Sequence, residues 1–351
     1  MSSPTALLAA AIAIAAAVAS CAGTRALIPV LRRGAMLDQP NQRSSHTVPT
    51  PRGGGIAVVA AIVAAWLGLI AADAAPPALL APIGGAALLA GVSWIDDRSD
   101  LSPLVRLIAQ FAAVGLGLAA IARGGPVFQG WLPPPLDIAA GTLVWVWFVN
   151  LFNFMDGIDG LAGGEAAAIG CGLLLSAGAG GGEPALAALA GVVAAAAVGF
   201  LVWNWAPARV FLGDVGSVPL GYLLGYLLLT AASRGHWRLA LILPLYFLAD
   251  ATITLLRRLA RGERVWQAHR EHFYQRAARR GLGHADVVRR VVAVDVLLIG
   301  AGWAAEHGAG GAALLVAAAA VAALLVNLAG LPLLGAHSIP AAKARIEEPP
   351  Q

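Results

Sequence analysis

Apolar residues in this sequence fall into long continuous blocks. They do not alternate, as strands facing water do, and they do not form a single stripe at helical spacing. The blocks cover about 5–30, 54–72, 78–95, 104–122, 138–155, 161–179, 185–203, 216–233, 239–257, 289–305 and 310–332. A helix needs about 20 apolar residues to cross the hydrocarbon of a bilayer. Helices that are apolar on every side are buried in lipid or protein. Only helices and closed barrels satisfy their backbone in lipid, and these runs are far longer than barrel strands. The pattern predicts an all-α, polytopic integral membrane protein with eleven transmembrane helices. It forms one transmembrane domain, 1–335, followed by a short tail, 336–351.

Composition agrees. Of 351 residues, 59% are hydrophobic and 12% are charged, against about 25% charged in soluble domains. Mean hydropathy is +0.77. The start, "MSSPTALLAAAIAIAAAVAS", is apolar like a signal peptide but lacks a basic leading region, so it reads as an uncleaved first span. Cys21 and Cys171 sit in apolar blocks without metal spacing and read as small buried hydrophobes rather than a disulfide.

Charge orients the chain. Nineteen of the 23 basic residues fall in one set of loops, three (Arg123, Arg234, Arg238) in the other, and Arg25 lies inside the first block. The positive-inside rule makes the rich side cytoplasmic, with the N-terminus periplasmic and the C-terminus cytoplasmic. The net charge of +4 follows from this bias, and no pattern for nucleic acid accompanies it.

The chemistry collects on the same side, in loops at about 31–53, 96–103, 156–160, 204–215 and 258–288. They contain "LDQPNQRSSHTVPTPRGGG", "WIDDRSDLSPLVR", "NFMDGIDGLAGGE", "WNWAPARVFLGDVGS" and "VWQAHREHFYQRAARR". Loops on the other side, such as "DAAPP" and "EHGAGG", carry almost none. Two acids at a helix end, Asp96 and Asp97, are ordinarily just solvated. Asp156 and Asp159 adjoin an apolar helix, where charge is costly and usually functional, and Gly157 and Gly160 break the helix beside them. Asp214 in "FLGDVGS" has the ordinary reading of a helix cap. Its functional reading is a cation ligand.

Five acids at the ends of different helices suit a hard cation, and Mg²⁺ shares carboxylate oxygens with substrate phosphates. Clustered arginines and histidines suit phosphate. His269 and His272 lie three apart with Arg270 and Arg276 near. Zinc competes for this pair, but no third ligand completes a site.

These motifs resemble those of the polyprenyl-phosphate N-acetylhexosamine-1-phosphate transferases, over about Asp38 to Arg280. "DQPNQRSSH" with "PTPRGGG", "DDRSDLSPLVRLIAQ", "NFMDGIDGLAGG" and "NWAPARVFLGDVGS" are similar to four family motifs in order. The fifth loop has "HREHFYQR" where the peptidoglycan branch has consecutive histidines, so the chain looks like the O-antigen-initiating branch. The resemblance implies transfer of HexNAc-1-phosphate from a UDP-HexNAc, GlcNAc or a 6-deoxy relative, to undecaprenyl phosphate at the bacterial inner membrane. It implies Mg²⁺, with Mn²⁺ as an alternative. It assigns Asp214 as metal ligand with Asn153 and Asp156, and Asp96 with Asp97 to the acceptor phosphate. Asp159 goes to the nucleotide or the metal's surroundings, Phe211 and Asn204 to uracil, and His269, Arg270, His272 and Arg276 to the diphosphate and sugar. Asn41, Arg43, His46 and Arg52 go to either substrate. Membrane lipid and a second copy of the chain complete the expected partners.

Rival readings are a peptidoglycan-type phospho-MurNAc-pentapeptide transferase, a secondary transporter and a silent assembly partner. A transporter places its polar groups near the midplane, whereas these lie at one face. A silent partner predicts losses among the acids, and all are present.

Overall fold

A computed structural model describes residues 3–39, 48–99, 101–121, 124–178, 183–264 and 269–331. Its α-helices, in chain order, are α1 (Ser3–Arg33), α2 (Gly55–Ala71), α3 (Leu80–Ser99), α4 (Pro103–Ile121), α5 (Pro134–Phe154), α6 (Leu161–Gly178), α7 (Pro184–Asn204), α8 (Asp214–Ser233), α9 (Trp237–Ile242), α10 (Leu245–Ala260), α11 (Phe273–Arg279), α12 (His284–Ala304) and α13 (Gly310–Ala329). Among the described residues, two short strands, β1 (Leu37–Asp38) and β2 (Thr50–Pro51), pair antiparallel between α1 and α2.

Among the described residues, seven helical stretches are long and apolar enough to cross a membrane, counting the kinked last one once: Thr5–Arg33, Pro77–Ser99, Pro103–Ile121, Pro134–Phe154, Pro184–Asn204, Asp214–Ser233 and His284–Ala329. The chain is thus an all-α polytopic membrane protein. It differs from the eleven expected spans in three places. The segments expected at 54–72 and 161–179 form the shorter apolar helices Gly55–Ala71 and Leu161–Ala177. The segment expected at 239–257 breaks between α9 and α10, at Leu243 and Pro244, because proline lacks the N–H and clashes with the preceding turn. The last two blocks form two helices, α12 and α13, that pack against each other across a kink at Ala305–Ala309, where His307 and Gly308 leave helical geometry and Gly308 has φ +95°.

The arrangement is built around α8. Every residue from Val215 to Ser233 is buried, enclosed by α2, α3, α4 and α5. Trp145 of α5 stacks on Tyr222 of α8 with ring centroids 4.9 Å apart and donates from Nε1 to the Tyr222 carbonyl at 3.0 Å. The Tyr222 hydroxyl donates to the Ala113 carbonyl of α4 at 2.8 Å. Each polar tip thus finds a partner inside an apolar core.

Without a hydrophobic drive between helices in lipid, small residues that let backbones touch hold the bundle together. A methyl on Gly55 would lie 2.1 Å from the Gly216 Cα, and one on Gly199 would lie 2.2 Å from the Ala17 carbonyl oxygen. At Gly84 of α3 it would meet no atom within 4 Å. Gly55→Val is therefore expected to force α2 from α8 and cost about 3 kcal/mol or more, beyond ordinary overpacking. Gly84→Ala is expected to be neutral or slightly stabilising. Thermal unfolding of the two detergent-solubilised variants checks both.

Candidate functional site

The site begins with the seam between the first and fourth motif loops. Phe211 N–H donates to the Pro51 carbonyl at 2.8 Å, and Gly53 and Gly54 donate to the Phe211 carbonyl at 3.1 and 2.9 Å. Gly55 donates to the Leu212 carbonyl at 2.9 Å. Arg52 and Phe211 form a parallel bridge. Gly213 takes φ +73°, and a methyl there would approach the Arg52 side chain to 3.0 Å. The chain needs glycine at this point for both reasons.

The seam aims Arg52 at two carboxylates from distant parts of the chain. Its guanidinium reaches Asp214 Oδ1 at 2.6 Å and Asp97 Oδ1 at 3.1 Å. Burial works against the cation, but Asp214 and then Asp97 outweigh it and hold Arg52 more firmly protonated than usual. Asp97 Oδ2 is buried and has no hydrogen-bond partner. Asp156 lies within the same field. Burial first, and Asp214 next, push its carboxyl up to about 7, while Arg52 opposes them. Arg52, Asp97, Asp156 and Asp214 therefore form one electrostatic cluster. Asp96 faces elsewhere, accepting from Leu101 N–H at 2.7 Å and pairing with Arg106 at 3.3 Å.

Other expected site residues hold the loops in place. Asn204 accepts from Gly160 N–H at 3.0 Å and donates to the Val210 carbonyl at 2.9 Å, so its amide clamps the third loop to the fourth. Asp159 accepts from Ala208 N–H at 3.0 Å and faces His284 Nδ1 at 3.3 Å. Asn153 Oδ1 accepts from the Ser217 hydroxyl at 2.5 Å. Asn150 and Gln110 form a reciprocal amide pair. Phe211 is partly exposed beside the seam. His46, Asn41 and Arg43 lie outside the described residues.

The fifth loop is anchored by a residue that the sequence reading passed over. Asp250 of α10 is fully buried and accepts from Phe273 N–H at 3.0 Å and Tyr274 N–H at 3.3 Å. Its Oδ1 also meets His272 Nδ1 at 3.1 Å. An acid in an otherwise apolar span was the available signal. His272 is itself only 3% exposed, which suits support of the loop more than contact with a substrate. The Tyr274 hydroxyl donates to the Phe154 carbonyl at 3.0 Å, packing the loop beside Asp156. A methyl on Gly157 would strike that hydroxyl at 2.2 Å, so the first motif glycine makes room for the fifth loop. Arg270 lines a polar cavity of about 380 Å³ with Gln275, Arg279 and His284. Arg276 is exposed on α11.

The donors clustered at Arg52 are hard oxygens, and one is orphaned, which fits a divalent cation of the Mg²⁺ kind. No three His, Cys, Asp or Glu side chains among the described residues stand close enough to hold an ion. Arg52 provides the positive charge between Asp97 and Asp214.

Burial, His272 and Arg258, in that order, lower His269 to about 4. Its Nδ1 accepts from Glu271 N–H at 3.3 Å, which places the proton of the neutral ring on Nε2. Folding thus favours the neutral form. The stability this contributes is present above the unfolded value near 6.5 and is lost as pH falls toward about 4. Thermal unfolding between pH 7 and pH 4 is expected to show less loss on acidification in His269→Gln than in the wild type.

Residues 79–232 match the model of glycosyl transferase family 4. The chain is 31% identical to the decaprenyl-phosphate N-acetylglucosaminephosphotransferase of Mycobacterium tuberculosis, over 74% of this chain and 72% of the relative. It is 28% identical to the undecaprenyl-phosphate alpha-N-acetylglucosaminyl 1-phosphate transferase of Escherichia coli K12, over 79% and 78%. It is 30% identical to the phospho-N-acetylmuramoyl-pentapeptide-transferase of Mycolicibacterium smegmatis, over 74% and 84%. With coverage this broad and the motif loops meeting at one cluster, the chain belongs to the polyprenyl-phosphate N-acetylhexosamine-1-phosphate transferase family.

Proposed function

We propose that this protein transfers HexNAc-1-phosphate from a UDP-HexNAc to undecaprenyl phosphate, giving undecaprenyl-diphospho-HexNAc and UMP. The reaction runs at the cytoplasmic face of the bacterial inner membrane and starts an O-antigen-like polysaccharide. The observation that carries the reading is the cluster at Arg52, where Asp97, Asp156 and Asp214 meet from three separate loops. The positive-inside bias supports a cytoplasmic site and a periplasmic N-terminus.

The reaction joins two anions, so repulsion is its first obstacle. Asp214, Asp156 and Asn153 would hold Mg²⁺, with the orphaned Asp97 oxygen beside them, and the ion would offset the charge of the diphosphate. Arg52 already balances Asp97 and Asp214, and its fork suits a phosphate as well as a carboxylate. On this reading it passes from the carboxylates to the diphosphate as the donor enters. Asp97 positions the acceptor phosphate, while Asp96, turned to Leu101 and Arg106, holds the loop beside it. A phosphate monoester is largely ionised at neutral pH, its second pKa lying near 6, so positioning outweighs proton removal. Neutral His269 donates from Nε2 toward the diphosphate or sugar, and Arg270 and Arg276 add charge at the same face. Phe211 offers a ring for uracil at the seam. Asn204 and Asp159 shape the same pocket by fixing the loops around it. Attack is direct, without a phosphoenzyme.

Membranes supplied with undecaprenyl phosphate, Mg²⁺ and a panel of UDP-sugars test the reaction by UMP release. Turnover confined to UDP-MurNAc-pentapeptide would move the chain to the peptidoglycan branch, whose M. smegmatis member is similar to it. EDTA is expected to abolish release, and Asp214→Asn to reduce it at least about 1,000-fold, some 4 kcal/mol of barrier. Wild-type turnover in that variant would remove Asp214 from the metal. Arg52→Ala is expected to lower kcat/KM by about 100-fold, with Arg52→Lys recovering part of it. Label carried onto the protein from UDP-sugar alone would replace direct attack with a two-step route.

A further inference from the structure

Beneath the third loop, inside the bilayer, lies a pair of acids that the site does not use. Glu165 of α6 is 1% exposed and Asp295 of α12 is 2% exposed. Among the described residues, none of their four carboxyl oxygens has a hydrogen-bond partner. The two helices pack together. A methyl on Gly164 would lie 3.6 Å from Val292 and 3.9 Å from Val288. Helix α6 therefore meets α12 at the level of Glu165, and Asp295 follows Val292 by about one helical turn. The two carboxyls lie within each other's field.

Among the described residues, no cation balances them. Helices α7 and α8, which flank α6, contain no Arg, Lys or His. On α12 itself, Arg289 pairs with Asp286 and Arg290 with Asn327. On α9, Arg238 lies over the Trp237 ring. On α10, Arg257 lies over the Phe273 ring and Arg258 binds Glu263. Tyr246 of α10 faces both Glu165 and Asp250 and donates to Asp250 at 3.3 Å. Two ionised carboxylates here would be desolvated, unpartnered and mutually repelled. One proton ends the mutual repulsion and gives the pair a hydrogen bond, since a carboxylic acid donates and a carboxylate accepts, and the single remaining charge is spread over both groups.

We propose that Glu165 and Asp295 share one proton and so fasten α6 to α12 within the membrane. The fastening matters because of what each helix begins with. Helix α6 follows directly from the loop that carries Asp156 and Asp159, and α12 starts at His284, which faces Asp159. Glu165 and Asp295 are thus positioning residues for the third loop.

Infrared spectroscopy of the full-length protein in lipid nanodiscs tests the shared proton. In an Asp156→Asn background, which removes the site carboxyl raised to about 7, a protonated carboxylic C=O band is expected at neutral pH, shifting when the glutamates or aspartates carry ¹³C and disappearing in Glu165→Gln and in Asp295→Asn. Absence of the band, its survival in both variants, or its loss on adding sodium would overturn the proposal, the last by making the pair a cation site. The positioning role rests on the reaction proposed above and is read from turnover. Glu165→Gln keeps a donor for Asp295 and is expected to stay within about threefold of wild type. Glu165→Ala is expected to lose roughly tenfold in kcat with KM little changed. Equal losses in Gln and Ala would overturn the positioning role while leaving the infrared result to stand or fall alone.

Discussion

The site depends on one backbone seam, in which residues 51–55 lie along Phe211 and Leu212. The seam brings β2 and the start of α2 against the start of α8, and it is possible because Gly55 and Gly216 let two backbones touch. Once formed, it leaves Arg52 little choice of direction. The guanidinium faces Asp214 from the seam itself and Asp97 from the end of α3. A cation held there lets acids that would repel one another remain close in a partly buried place.

The lipid environment explains why the remaining loops are tied so thoroughly. A loop at the membrane surface has no broad apolar face to bury, so its position rests on hydrogen bonds. Asn204, Asp159 and Asn153 each accept a donor from a neighbouring loop or helix, and Asp250 collects two backbone N–H groups of the fifth loop. These residues pass rigidity from the helices to the cluster. A phosphoryl-transfer site relies on such rigidity, because placement and electrostatics carry most of the barrier reduction.

Helix breaks appear where the packing needs them. Pro244 separates α9 from α10, and α10 carries Asp250, which binds the fifth loop. Gly157 clears space for the Tyr274 hydroxyl, joining the third loop to the fifth. The same chemistry that makes these residues poor helix interiors makes them usable at the junctions.

Residue order by itself determined the all-α membrane class, because continuous apolar blocks leave lipid-exposed backbone no other solution. It also determined which loops hold the chemistry, since charge bias and motif spacing are one-dimensional. The break at Pro244 was not legible in the apolar pattern, because a block's apolar length does not say where its helix ends. Nor were the separate tasks of Asp96 and Asp97. They are neighbours in the chain, yet one faces Arg106 and the other Arg52. Asp250, His284 and Asp295 carried no local motif, and Tyr274 and Glu165 sat in motif loops without a role to mark them. Their partners lie tens to hundreds of positions away, and only the packing of helices in three dimensions decided which groups would meet.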